Sequence, residues 1–370
     1  MLWARQQAER PFSLPGRSTP VVKCDPEEMQ KGPGRLVGVF AAVLGVGACG
    51  QVTSKADGGG DGGLTADQAC ATLAQAACSK RDSCSNGTSI TRVYGEMSVC
   101  LTRSALECTS RLAAPNTGAS PQTVSKCAAN YAMLSCNDFF DSKLPPDCTP
   151  AGPGANGQPC AFNGQCATAY CGETENALCG TCTSQPAAGD SCAGSFCGPG
   201  QNCVAATMTC ADVGILNGSC DTNDPCGNGL SCVGVSSTSA QGTCEVALGT
   251  AGAACGGATM PSCNGSLGLA CVGPSGSKTC VSIDYVGDGM PCGNLSNTSF
   301  ALCKAGTCYT TTGVASGSQT GTCKLDAIEG AACDTVLGPS CMTPARCVTV
   351  SDGGGTSGLC TLPTGRTCGS

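Results

Sequence analysis

The sequence predicts a small disulfide-rich fold, with an N-terminal disulfide-clasped helical domain followed by tandem cysteine-rich repeats of short hairpins and turns. Three observations predict it. Cysteine supplies 36 of 370 residues and glycine 54, while aromatic residues make up only 4%. In one stretch the cysteines recur at helical spacing. Beyond it they recur four at a time in a tandem pattern.

The composition bounds what this chain can be. Glycine at this density costs folding entropy and supplies no side chain to bury, so a large oily core is not expected. Cysteine at about one residue in ten marks a disulfide scaffold made in an oxidising compartment. A bridge closing a loop of about 15 residues contributes roughly 3 kcal/mol by restricting the unfolded chain. A dozen or more such bridges offset the weak core. Histidine is absent. That removes Ser-His-Asp and Cys-His nucleophilic machinery, His-based zinc sites and imidazole pH switching. The formal charge of −7, without a basic cluster, excludes nucleic acid as an expected partner. No Gly-Lys-Ser/Thr phosphate loop occurs.

The first element is a leader. Residues 29–48 open with Lys31 and Arg35 and continue into the apolar run Leu36 to Ala48. The run is too short to span a bilayer as a helix and has the length of a signal h-region. It ends in Val46-Gly47-Ala48-Cys49, which resembles the bacterial lipoprotein signal, where small residues precede a lipidated cysteine. The resemblance implies that Cys49 is the lipidation site and mature N-terminus, carrying diacylglycerol and usually a third chain. Two or more acyl chains anchor a protein stably. Gly50 rather than Asp after the cysteine implies the outer membrane. The other reading is an ordinary signal peptide cleaved after Ala48. Residues 1–28, with Pro11, Pro15, Pro20 and Cys24, fit no signal. They are expected to be a spurious or disordered upstream extension, with Met29 as the true start, or else a long n-region. The sole tryptophan is Trp3, so the processed protein is expected to show no tryptophan emission.

Residues 49–63, with their DGGGDGG run, read as a flexible tether. Asp57 and Asp61 lack the ligand density and closing Glu of a calcium loop.

Residues 64–150 read as the helical cysteine-rich domain. Thr65 with Gln68 is a capping-box signature. Cys70, Leu73, Ala74, Ala77 and Cys78 then line one helix face. Met97, Cys100, Leu101, Ala105, Cys108 and Leu112 form a second stripe. Ser120-Pro121 starts a third, continuing through Val124, Cys127 and Tyr131. Cys70/Cys78, Cys100/Cys108 and Cys127/Cys136 each lie on roughly one face, placed to bridge neighbouring helices. Cys84 and Cys148 are left to tie loops.

Residues 151–370 carry six repeats plus the start of a seventh at Cys368. Each opens with Gly-x-x-Cys, as at Cys160, Cys192, Cys255, Cys292 and Cys333; Asn217-Gly-Ser-Cys220 is a form shifted by one. Each holds four cysteines, and a Gly-x-Cys turn such as Gly242-Thr243-Cys244 often closes it. Four cysteines allow three connectivities. Compact units favour first-to-third with second-to-fourth. Cys179 and Cys368 fall outside the count; they pair with each other or reshuffle the end units. The repeat resembles the Dickkopf N-terminal cysteine-rich type of module, and the whole arrangement is similar to myxobacterial-type cysteine-rich surface lipoproteins. The signalling role of Dickkopf proteins is not implied, because no receptor-contact motif can be placed here.

Candidate chemistry is sparse. Cys179-Gly-Thr-Cys182 has redox or zinc spacing, but no second such pair matches it, and a structural disulfide is expected. Asp138 and Asp141 flank Phe139-Phe140 and read as a solvated helix end. Asn-x-Ser/Thr at Asn86, Asn217, Asn264, Asn294 and Asn297 has no glycosylation meaning on a bacterial export route. No catalytic, cofactor or metal site is expected. The reading is a non-enzymatic surface lipoprotein for adhesion, envelope structure or partner binding, held to a membrane by lipid. Its partner is an unknown protein or glycan. The alternative is a secreted inhibitor of extracellular enzymes.

Overall fold

The computed structural model describes residues 63–370, apart from 174–176, 194–195, 205–206, 222–224, 237–238, 257, 316–318, 350–354, 366–367 and 369–370. The expected extension, the signal peptide, Cys49 and the tether up to residue 62 lie outside the described residues.

The helical part comprises α1 (Ala66–Ser85), α2 (Thr88–Val93), α3 (Met97–Ala113), α4 (Pro121–Tyr131) and α5 (Cys136–Phe140). Thr65 accepts a hydrogen bond from the Gln68 amide, and the Gln68 side chain accepts one from the Thr65 amide. This reciprocal pair satisfies two donors that the first helical turn leaves open. α1 stops where Asn86 takes φ 52 and Gly87 φ 83, a left-handed step suited to these two residue types. α4 begins at the Ser120 cap with Pro121 at its first turn. The short α2 and α5 have no counterpart in the hydrophobic pattern, because neither is long enough to show a helical period.

The helices are clasped as the spacing predicts at Cys70/Cys78 and Cys100/Cys108, but Cys127 and Cys136 do not share a helix face: α4 ends at Tyr131 and Cys136 opens α5. Cys70–Cys108 and Cys78–Cys100 join α1 to α3 in antiparallel register. Cys84–Cys136 and Cys127–Cys148 tie the remaining loops.

Beyond Thr149 the chain forms short, mainly antiparallel hairpins; the strands Thr279–Val286 and Ser299–Cys303 pair in parallel and join the fourth unit to the fifth in one seven-stranded sheet. In every unit the third and fourth cysteines stand opposite one another across two strands, as in Cys171 with Cys182 and Cys308 with Cys323. Neither bonds to the other. The first cysteine bonds the third and the second bonds the fourth in all six units, so the two bridges cross. In four units the strand bearing the first cysteine adds to the edge of the hairpin, placing Cys160, Cys220, Cys292 and Cys333 opposite a glycine.

The geometry explains the opening signature. The residue three before the first cysteine has positive φ in each unit: Gly157 +88°, Gly189 +89°, Asn217 +63°, Gly252 +85°, Gly289 +72° and Gly330 +78°. Each donates its amide to the carbonyl of its unit's fourth cysteine, for example Gly189 to Cys210 at 2.8 Å and Gly252 to Cys280 at 2.7 Å. Asn217 donates to Cys244 at 2.8 Å. The third unit is therefore not shifted: asparagine, which tolerates the left-handed region, takes the glycine's place. We expect Gly289→Ala to destabilise its unit by about 1 kcal/mol and Gly289→Asn by less. No atom lies within 4 Å of an added Cβ there, so the cost is conformational. Thermal midpoints of the two variants, both fully bridged, check this.

The expected closing turn is instead a strand. Gly180, Gly242, Gly321 and Gly358, two residues before the fourth cysteine, lie within strands. A Cβ on Gly358 would come within 2.1 Å of the Val348 carbonyl oxygen, and one on Gly242 within 2.3 Å of that of Val233. Glycine is needed there for close approach of backbones. Nor does Cys368 open a seventh unit: Gly365, three residues before it, lacks positive φ, and Cys368 bonds Cys179 across 189 residues.

A conventional core is missing, as the composition predicts. The four cysteines of the first unit form a buried cluster by themselves. Larger apolar groupings belong to the helices, around Ile90 and Tyr94 and around Tyr131.

The six units do not trail away from the helices; each one touches them. Gly118 donates to Gly164 of the first unit, and Gly200 of the second donates to the Asp141 carbonyl. The Asn228 amide of the third donates to the Asp141 carboxylate at 3.1 Å. Thr88 donates to the Ser266 carbonyl of the fourth, and Ala305 of the fifth donates to Thr91 and Arg92. Arg103 of α3 donates to the Met342 and Thr343 carbonyls of the sixth and pairs with Glu329 at 2.6 Å. Cys179–Cys368 and the ion pair of Arg346 with Glu173 at 2.5 Å join the sixth unit and chain end to the first. The repeats thus form a belt around a helical hub, closed by a covalent link.

Candidate functional site

Cys179 and Cys182 do not bond one another: Cys179 bonds Cys368, and Cys182 bonds Cys166. Neither sulfur is therefore a thiolate able to hold zinc or exchange. The same holds for the groups of three cysteine sulfurs that cluster in the units, such as Cys160, Cys166 and Cys182. Proximity there reflects crossed disulfides. Asp141 is not the solvated helix end the sequence predicts. It is 9% exposed, and it receives the Asn228 amide because the third unit packs over the end of α5. Burial pushes its carboxyl above the ordinary range. Asp138 does stay at the α5 N-terminus, where its amide donates to Ser135. Cys49, the expected lipidation site, lies outside the described residues.

The feature with chemical character lies inside the hub. A cavity of about 140 Å³ is bounded by α1, α3, α4 and α5, and reaches the first unit at Asn163 and Gly164. Its apolar walls include Tyr94, Tyr131 and Phe139, and its polar side chains include Arg81, Glu107 and Arg111. Arg81 is positioned by α1, one turn before the Asn86 stop. Its guanidinium lies 5.9 Å from the Tyr94 ring centre and 5.6 Å from that of Phe139, and it donates to Ser89. Stacking of this kind orients a cation without neutralising it.

Glu107 faces the cavity from α3 and is 7% exposed. Its Oε1 accepts no hydrogen bond, although Arg111 Nη2 stands 3.5 Å away as an ion pair. A buried carboxylate lacking a hydrogen bond is costly. Desolvation therefore pushes its pKa up to about 8, against the pull of Arg111 and Arg81. Burial likewise pulls Arg111 down to about 10 and raises the Tyr131 phenol to about 12. Burial thus favours the protonated carboxyl over the ion pair with Arg111, and two guanidinium groups, Arg81 and Arg111, line the cavity.

Folding raises this carboxyl from 4.5 to about 8, so the folded protein keeps a proton that the unfolded chain has lost. The resulting stability is full below pH 4.5 and is lost as pH rises through about 8. We expect the thermal midpoint to fall over that window and Glu107→Gln to flatten the fall. A midpoint series at fixed ionic strength checks this.

Arg103, Glu107 and Arg111 occur at successive four-residue steps along α3. Such a charged stripe normally marks a solvated face. Here Arg103 is covered by the sixth unit, while Glu107 and Arg111 line the cavity within the hub. The signal was present in the sequence, but its meaning depended on the wrap.

No protein-family model matches the chain, and no curated protein or solved structure shows significant similarity to it. Among the described residues no helix is long and apolar enough to cross a membrane.

Proposed function

We propose that this chain is a non-enzymatic surface lipoprotein, anchored through Cys49, that binds a partner through its helical hub. The heavy disulfide bonding fits an oxidising, extracytoplasmic compartment. The observation that carries the reading is the contrast within the fold. Six units are stapled and glycine-rich, whereas the hub they enclose holds a preformed cavity with a buried carboxyl oxygen that accepts no hydrogen bond. A rigid frame keeps such a cavity open at little ordering cost, which favours binding over collapse. Its lining combines apolar rings with the charged groups of Arg81, Glu107 and Arg111, a mixture suited to recognition.

Two measurements test the two halves. Metabolic labelling with an alkyne fatty acid should mark the wild-type protein, and Cys49→Ala should abolish the label and release the protein from the membrane. Persistent labelling of the variant would remove the anchor. A fragment screen by thermal shift on the fully bridged protein should find ligands that raise the midpoint and lose effect in Glu107→Leu. A screen without hits would remove the binding role.

A further inference from the structure

We infer that the hub cavity takes a small monocarboxylate with a compact apolar body, its carboxylate received by Arg81 and Arg111 and its body held among Tyr94, Tyr131 and Phe139. This rests on the binding role proposed above and names the ligand class.

Size comes first. An apolar cavity of about 150 Å³ accepts benzene. A volume of about 140 Å³ therefore suits one six-membered ring or an equivalent branched chain, with one small substituent. Longer acyl chains and peptides do not fit inside.

Charge selects the substituent. Two guanidinium groups, Arg81 and Arg111, line the cavity with the carboxyls of Glu107 and Asp147. Asp147 already receives a hydrogen bond from Asn130 at 3.4 Å. The Glu107 carboxyl accepts no hydrogen bond at Oε1, is 7% exposed, and faces the cavity. In its protonated form it is a donor, and a carboxylate is the acceptor best matched to a buried O–H beside a guanidinium. A ligand ammonium would instead meet the guanidinium groups of Arg81 and Arg111, with the Asp147 carboxyl already engaged by Asn130.

Shape supports the same choice. The Arg81 guanidinium lies 5.9 Å from the Tyr94 ring centre and 5.6 Å from that of Phe139 and donates to Ser89, contacts that restrict its movement. A fixed planar fork recognises a planar carboxylate in two-point fashion. The cavity extends to Asn163 and Gly164 of the first unit, so the belt forms part of its wall.

The test uses three probes of one size: sodium benzoate, benzyl alcohol and benzylamine, titrated at neutral pH into the fully bridged full-length protein. Benzoate is expected to raise the thermal midpoint and to bind at least about tenfold more tightly than either other probe. Arg81→Gln should weaken benzoate by about tenfold while leaving benzyl alcohol unchanged. Disulfide mapping of the variant shows whether it is correctly folded, and Arg81→Lys, which keeps the charge but loses the planar fork, should recover only part of the affinity. Tighter binding of benzylamine or benzyl alcohol would overturn the ligand class and leave the binding role intact. Failure of all three probes would overturn both.

Discussion

Reduction of the disulfides under native conditions, without denaturant, is expected to unfold the belt completely. Apart from Pro344 and Pro363, the largest fully buried side chains are half-cystines, among them Cys70, Cys160, Cys182 and Cys244. In the repeats the bridged residues stand 11 to 20 apart. Each such bridge is worth roughly 3 kcal/mol in the chain-entropy account, and each unit has two. Little else resists the entropy of a glycine-rich segment, since strands of two to eight residues form only marginal hairpins. Once thiols replace the bridges, the sulfur clusters lose their packing as well. The hub should fail last, because Ile90, Tyr94, Val124 and Tyr131 give it apolar contacts and α1 and α4 are well capped. The expected readout is loss of amide dispersion throughout residues 151–370 on adding reductant, with some far-ultraviolet helical signal surviving. A fully dispersed spectrum with every cysteine reduced would mean that the interior is held by something not identified above.

The second large effect is expected from opening the belt. Replacing Cys179 and Cys368 with serine removes the link across 189 residues. An uninterrupted loop of that length corresponds to about 5 kcal/mol. The other bridges shorten the effective loop, so a loss of about 2–4 kcal/mol is expected. The loss should concentrate in the sixth unit. Its remaining ties include Arg346 with Glu173, Arg103 with Glu329, Met342 and Thr343, and Tyr309 of the fifth unit with Ser340. Amide exchange should therefore rise at Ala327 and Met342, which bond across that unit, and stay low at Cys78 and Cys100 in the hub. Adding Arg103→Ala should cost more in the open belt than in the closed one, because the Arg103 contacts then carry a larger share of the unit's attachment. Equal exchange in open and closed forms would show that the link is incidental to the fold.

Much of this architecture was legible in residue spacing. Helical period and cap residues located α1, α3 and α4, since Thr65-Gln68 and Ser120-Pro121 act locally and need no tertiary context. Crossed pairing was favoured by compactness and is what the hairpins impose: opposed third and fourth cysteines each reach a different partner. The Gly-x-x-Cys signature was seen as a motif, but its cause, an amide given to the fourth cysteine from a left-handed residue, required coordinates. For the same reason Asn217 read as a shift when it is a substitute. Gly-x-Cys was misread as a turn because close backbone contact and turn formation both select glycine.

The site was far less legible. Arg81, Glu107 and Arg111 look solvated in sequence, and Asp141 was read that way outright. Packing of the helices on one another and of the units on the hub turns those faces inward, and it is set by contacts distant in sequence, such as Asn228 with Asp141, 87 apart, and Thr343 with Arg103, 240 apart. No local pattern encodes them.

The central claim is that sulfur bridges in one defined pattern take the place of an apolar interior. Partial reduction, stepwise alkylation and peptide mass mapping of protein isolated from its native compartment test it most directly. The account predicts first-to-third and second-to-fourth bridges in every unit, Cys70–Cys108 and Cys78–Cys100 in the hub, and a peptide joining Cys179 to Cys368. Sequential pairing within the units, or free thiols at these positions, would contradict it.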